Sequence, residues 1–233
     1  MADQRSPASP PQRTPAFESP VVRSYPTSQP GDLTLTDASN TAKWLVRAGV
    51  DGLIADLLGA RFGTSQVAPG GALVLGSRPG EWIVLGTPEQ VDSVTAVLHD
   101  AVRSGPMRRD DARGDRAPVL HEATPELVSV LDWTHSRAMF LVTGAEATRM
   151  LEKVCGIDWS DHMTPDGAVV SASVALVTCD LARDDLSQDD TTSTPSYLIF
   201  CDRSFGQYLF DALIDAGDEF GLAVAAVDAS RGG

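Results

Sequence analysis

The sequence predicts an α+β fold. Short β-rich runs, helix starts marked by capping residues, and one order of these elements occurring twice all point to it. In each half a strand leads into a helix, then two strands, then a second capped helix.

Residues 1–34 form a proline-rich arm. Positions 1–32 hold 7 of the 15 prolines and only two aromatics, Phe17 and Tyr25. Such a segment buries too little apolar surface to offset its ordering entropy, so it is expected to be disordered or extended and to order only on a partner. The first half, 35–104, opens with a strand at 43–46. A helix over 50–61 follows, with Leu53, Ile54, Leu57 and Leu58 as its apolar face, then strands at 72–75 and 82–85. Thr87-Pro-Glu-Gln90 is a capping box with proline at the first helical position; it starts a helix burying Val91, Val94, Val97 and Leu98.

Residues 105–120 have the composition of a linker. The second half, 121–233, has a strand at 138–142. A capping box at Thr143-Gly-Ala-Glu146 then starts a helix with Ala147, Met150, Leu151 and Val154 inward and Gly156 as its end. A long strand is expected at 169–178, a polar mobile loop at 184–195, and a strand at 197–201. A third box, Ser204-Phe-Gly-Gln207, leads into Tyr208, Leu209, Ala212 and Leu213, with Gly217 as the stop. Gly49 and Gly144 each open the first helix of a half, and Trp82 corresponds to Tyr197. The chain therefore reads as an internal duplication of a β-α-β-β-α unit whose strands share one sheet system, forming one sheet-and-helix domain.

Composition narrows the function. Apolar residues make up 42 %, an ordinary globular value, and the net charge is −14. Residues 121–233 carry 19 acids against 6 bases, so a phosphate backbone would be repelled and nucleic-acid binding is not expected. No apolar run approaches the roughly 18–20 residues that span a bilayer, and no secretory signal opens the chain, so a cytoplasmic protein is expected. Cys155, Cys179 and Cys201 sit in apolar surroundings and read as buried thiols in a reducing compartment. Only Lys43 and Lys153 are lysines.

Motifs for nucleotides, zinc and an acyl-transfer serine are missing from the sequence. His99 and His121 read as solvated, and His162 as a turn histidine. Asp132-Trp-Thr-His135 is the one cluster of chemical interest, an acid and an imidazole three residues apart. Without a nucleophile or metal partner near it, the pair is expected to tie down a turn. No catalytic, cofactor-binding or metal-binding residue is assigned to this chain.

The run Val130-Leu-Asp-Trp-Thr-His-Ser-Arg-Ala-Met-Phe-Leu-Val-Thr-Gly144, continued by Leu151 to Asp158, resembles a segment of the glycine-cleavage T-protein superfamily. Further residues resemble the gamma-subunit family of heterotetrameric sarcosine oxidases. They are Ser173-Val-Ala-Leu-Val-Thr, Arg183-Asp-Asp, Pro195-Ser-Tyr-Leu and, above all, the run from Asp202 to Gly217. The likeness covers about residues 125–225 well and 35–100 loosely.

The resemblance implies a structural subunit of a flavoenzyme that oxidises N-methylglycine or a related N-methyl amine. Its alpha, beta and delta partners would hold FAD, FMN, NAD, folate and zinc, and this chain none. Folate-using members carry Leu-Asn-x-x-Gly-Gly-x-x-Asp-Asp, whose acid serves the pterin. Ala175-Leu-Val-Thr-Cys-Asp-Leu-Ala-Arg-Asp-Asp185 stands there without the glycine pair. Two rivals follow: a free-standing folate-dependent aminomethyltransferase, and a folate-binding accessory protein of iron–sulfur assembly.

Overall fold

A computed structural model describes residues 19–26, 32–104, 126–187 and 193–225. The linker at 105–120, Phe17 and His121 lie outside the described residues. The first half gives β1 (Leu33–Asp37), β2 (Ala42–Arg47), α1 (Leu53–Leu58), β3 (Ser65–Val67), β4 (Leu73–Arg78), β5 (Glu81–Gly86) and α2 (Pro88–Ser104). The second gives β6 (Ser129–Asp132), β7 (Arg137–Gly144), α3 (Ala147–Val154), β8 (Val169–Val174) and β9 (Val177–Arg183). After them come β10 (Leu186–Ser187), β11 (Ser193–Thr194), β12 (Ser196–Asp202), α4 (Gly206–Gly217) and β13 (Ala223–Ala225).

The strands form two main sheets rather than one. One runs β3-β4-β5-β2-β6 and the other β13-β1-β7-β12-β9-β8. Alternation along each strand explains why they stack. In β2 and β5, Val46, Trp82 and Val84 face α1 and α2, packing on Ile54, Leu58, Val91 and Leu98. In the other sheet, Phe140, Tyr197 and Ile199 face Met150 and Leu151 of α3 and Leu209 and Leu213 of α4. The opposite faces meet each other: Leu45, Leu75, Ile83 and Leu85 pack on Met139, Leu141, Leu198 and Phe200. The result is four layers, helix–sheet–sheet–helix. Each fully buried aliphatic side chain contributes about 1.5–3 kcal/mol.

The two sheets share an order, and each takes its leading strand from the other half. β1 pairs with β7, through Leu35 and Val142, while β6 pairs with β2, through Leu131 and Leu45. Between its helices each half has three main-sheet strands, not the two expected. The sheets also meet at a corner, where Thr64 bridges Ala168 and Val169 N–H donates to Gly63 O at 2.9 Å.

Capping differs from expectation in three places. The Thr87 box is present: Gln90 Oε1 accepts from Thr87 N–H at 2.8 Å and Thr87 Oγ1 from Gln90 N–H at 3.3 Å. Thr143, by contrast, stays in β7, held there by pairing on both sides with Thr34 and Ser196. Gly144 then passes so close to β1 that a Cβ would lie 2.0 Å from Asp32 O. Ahead of α4, Asp202 caps a 3-10 turn, Arg203–Phe205, accepting from Ser204 N–H at 3.0 Å; among the described residues α4 itself has no side-chain cap, and Gln207 turns elsewhere. Helix ends shift too. α3 stops at Val154, where Cys155 turns extended and bridges Val174, whereas α4 ends at Gly217 as expected and a 3-10 turn, Asp218–Phe220, then leads to left-handed Gly221. α1 covers only part of 50–61 because left-handed Gly59 ends it. Its N-terminus is capped from the other half: Glu126 accepts from Gly49 N–H at 3.0 Å and Ile54 N–H at 3.3 Å. Val97, expected inward on α2, is exposed.

The run at 169–178 is a hairpin, β8 and β9, turning at Ala175 and Leu176 with φ of 46° and 67°. No glycine or asparagine marked that turn. The polar loop has an ordered base, where Leu186 pairs with Thr194 in β10–β11.

The described part of the arm, residues 19–26, departs from the expectation of ordering only on a partner. Residues 19–26 lie on this chain's own α4. Gln207 Oε1 accepts from Val22 and Arg23 N–H at 2.7 and 2.9 Å, and the Tyr25 ring sits 5.2 Å from Phe210. Tyr25 hydroxyl also donates to Asp211, and Pro20 covers Gly206. Proline cannot join a ladder, but side chains of a helix can still hold it. Tyr25→Ala is expected to cost about 1–3 kcal/mol, from a lost aromatic pair and hydrogen bonds. Faster hydrogen exchange at 206–211 should accompany the loss in a denaturation series. Unchanged stability would show that the arm is not seated there.

Candidate functional site

Asp132, Trp133, Thr134 and His135 are the crossover from β6 in one sheet to β7 in the other. Asp132 Oδ1 accepts from Thr134 N–H at 2.8 Å, and Trp133 O accepts from Ser136 and Arg137 N–H at 3.1 and 3.2 Å. His135 is exposed. The geometry is that of a turn, with Arg137 stacked 4.6 Å over the Trp133 ring.

Against this crossover lies the other one, from β1 to β2, and Lys43 touches both. Its N–H donates to Thr134 Oγ1 at 3.1 Å and its carbonyl accepts from Trp133 N–H at 2.7 Å. Its side chain has no exposed surface, and Nζ donates to Ser39 O and Thr41 O at 2.7 Å each. Burial pushes its pKa down to about 8, with Asp37 and Asp132 pulling the other way. A lysine in step with Leu45 on β2 was the available sequence signal.

Two further polar clusters escaped the sequence. Asp180, 3 % exposed, points between the sheets. Arg78 donates to it at 3.1 Å from one sheet and Arg137 at 3.3 Å from the other, with Ser171 Oγ at 2.6 Å. Arg183, on β9, makes a two-pronged pair with Asp185: Nε to Oδ1 at 3.0 Å and Nη2 to Oδ2 at 2.9 Å. Its Nη1 donates to Asp161 at 2.6 Å and to Thr164 O at 2.8 Å. Tyr197 lies beneath it, its hydroxyl 2.9 Å from Thr148 Oγ1, with Trp159 edge-on at 5.1 Å. Every carboxylate in these clusters has an internal partner, so they are built as ties rather than as an open site.

The hairpin turn at Ala175–Leu176 opens the segment that lacks the glycine pair, and Asp180 is the first acid after the turn. Asp180 and Asp185 are both engaged by arginine. His99 and His162 are exposed, and His162 follows a turn closed by Asp158 accepting from Ser160 N–H at 2.9 Å. Among the described residues no group of His, Cys, Asp and Glu could hold a metal ion. A cleft of about 690 Å³ lies beside α1, between Val50, Phe62, Arg78 and Trp82.

Cys155, Cys179 and Cys201 are free and buried in one core. Burial pushes the thiols of Cys179 and Cys201 up to about 12 and raises that of Cys155. A thiol reagent at pH 8 is therefore expected to label the native chain no faster than it unfolds, then to label all three in denaturant. Rapid labelling of any thiol in folded protein would contradict this.

Two sheets face to face, each backed by two helices and each completed by the other half, define the class of fold. That fold is shared with a chain of the heterotetrameric sarcosine oxidase from Corynebacterium sp. U-96, a structure in complex with pyrrole 2-carboxylate. The TM-score is 0.57 at 20 % identity, over 83 % of this chain and 89 % of that one. The glycine cleavage system aminomethyltransferase T from Bartonella henselae is also similar. Its TM-score is 0.53 at 11 % identity, and the match covers 83 % of this chain but 48 % of that protein, about half its length. No family model and no curated protein matches the sequence. Among the described residues no helix is long and apolar enough to cross a membrane.

Proposed function

We propose that this chain is a gamma-type structural subunit of a sarcosine-oxidase-type flavoenzyme, working beside alpha, beta and delta subunits in the cytoplasm. The observation that carries the reading is the mutual coverage with the oxidase chain, 83 % of one and 89 % of the other. The aminomethyltransferase, in contrast, extends far beyond the match. In this reading the complex demethylates N-methylglycine or a related amine with oxygen and tetrahydrofolate. Glycine, hydrogen peroxide and 5,10-methylenetetrahydrofolate are the products. Flavins, NAD, folate and zinc belong to the partner subunits.

The folate-protein fold raises the question of a pterin site here. Asp180 and Asp185, the acids on and just past β9, are held by Arg78, Arg137 and Arg183, leaving neither carboxylate open to a pterin. These residues do not fit folate, which favours a structural role over a lone aminomethyltransferase. The matching strand orders of the two sheets also support descent of the halves from one duplicated unit.

Co-expression with any flavin-binding oxidase subunits found in the neighbouring reading frames tests the proposal. A stable complex is expected, with the flavin band near about 450 nm and N-methyl amine oxidation residing in it. Purified alone, the chain should show no such band and no tetrahydrofolate binding by calorimetry. Tetrahydrofolate binding to the lone chain would favour the aminomethyltransferase reading instead.

A further inference from the structure

The β8–β9 hairpin tip presents a leucine in a conformation that leucine disfavours. Ala175 and Leu176 occupy the two central positions of a tight turn, both at positive φ, a slot that Asn-Gly fills in most hairpins. A side chain at such φ crowds the following carbonyl, and glycine relieves that crowding. Leu176 is moreover 93 % exposed, so nothing within the described chain rewards a leucine there. A second observation falls at the same place. Tyr208, half exposed on α4, donates its hydroxyl to Ala175 O at 3.0 Å, and exposed Phe205 lies one turn before it. An apolar knob, an aromatic brace and a second aromatic ring thus share one surface.

From this we propose that Leu176, braced by Tyr208, is a docking knob that inserts into an apolar socket on a flavin-binding partner subunit. The inference rests on the oxidase-subunit reading. Charge identifies the occupant's rim. Residues 121–233 hold 19 acids against 6 bases, and exposed Asp202, at the end of β12, and exposed Asp215, on α4, precede and follow Phe205 and Tyr208 in the chain. A socket bordered by basic side chains matches that pattern, and a second copy of this acidic surface does not.

Leu176→Gly separates docking from folding. Glycine fits the turn better, so the isolated variant should melt at or above the wild-type temperature. Its affinity for the flavin-binding subunits used in the co-expression should nevertheless fall about 10- to 100-fold, the loss of one well-buried leucine. Leu176→Asp should weaken binding at least as much, and rising salt should weaken the wild-type complex. A wild-type chain that fails to bind those subunits would sink the functional reading and the knob with it. A Leu176→Gly chain that binds as tightly as wild type would overturn the knob alone. So would a variant that only dissolves a homodimer of the free chain.

Discussion

Arg183→Met is expected to cost about 3–5 kcal/mol of folding stability, the usual effect of stranding a buried charge. The Arg183 side chain is 8 % exposed and the Asp185 side chain 5 %, so losing the guanidinium leaves a carboxylate that water barely reaches. Among the described residues Asp185 would keep only the amide of Ser196, which donates to it at 3.2 Å. Asp185 is also the main reason that the Arg183 pKa lies above its ordinary value. The Asp161 contact contributes little, because that carboxylate is 88 % exposed. Arg183→Lys should fail nearly as badly, since an ammonium cannot span both Asp185 oxygens. Arg183→Met combined with Asp185→Leu should recover much of the loss. Urea denaturation of the three variants checks this. A single-variant loss below about 1 kcal/mol would show that water or a shifted side chain reaches Asp185.

Lys43 should make stability rise with pH through a window set by its own titration. Its folded pKa is about 8, and its ordinary value is 10.5. Below pH 8 both states carry the charge, and the folded state bears the full burial penalty. Between the two values the folded lysine is neutral while the unfolded one remains protonated. Unfolding then takes up a proton, and stability increases with pH by about 3 kcal/mol across the window. The thiols act in the opposite sense. Cys179 and Cys201 stay protonated in the fold to about 12 but ionise above 9 when unfolded, so wild-type stability should turn down above pH 9. Subtracting a Lys43→Met variant removes the thiol contribution. The wild type should gain on that variant steadily from pH 7 to 10; a constant difference would mean that Lys43 meets water.

The α+β class was legible in the sequence because strands such as β5, β7 and β12 are short continuous runs of apolar residues, buried on both faces between a helix layer and the other sheet. Their cores fell within the expected runs. Local chemistry also located α2, since Thr87 and Gln90 need only each other. Elsewhere a distant partner outbid the local pattern. Thr143 pairs on both sides in a sheet, Gln207 holds the arm, and Glu126 caps a helix from the other half. Each alternative depends on residues far away in the chain, which no local window contains. The β8–β9 turn was hidden for a different reason, because Ala175 and Leu176 are residues that seldom make one. The polar ties were invisible because spacing cannot say that Asp180 would meet an arginine from each sheet.

The exchange of leading strands has a consequence for synthesis. β1 leaves the ribosome early, yet the strand it pairs with, β7, is complete only when Gly144 emerges, and its other neighbour, β13, later still. The sheet of the first half likewise lacks its edge until residues 129–132 are made. Neither half can close as it is translated, so Leu33 and Leu35 must wait uncovered in the nascent chain. Long-range pairing of this kind slows folding and leaves a strand edge open to wrong partners. A ribosome stalled just after residue 120 should therefore carry a chain that is sensitive to protease and binds holdase chaperones. One stalled with residue 225 fully emerged should resist the protease. The vulnerable interval in this protein's life is set by topology, and it ends only when the second half arrives.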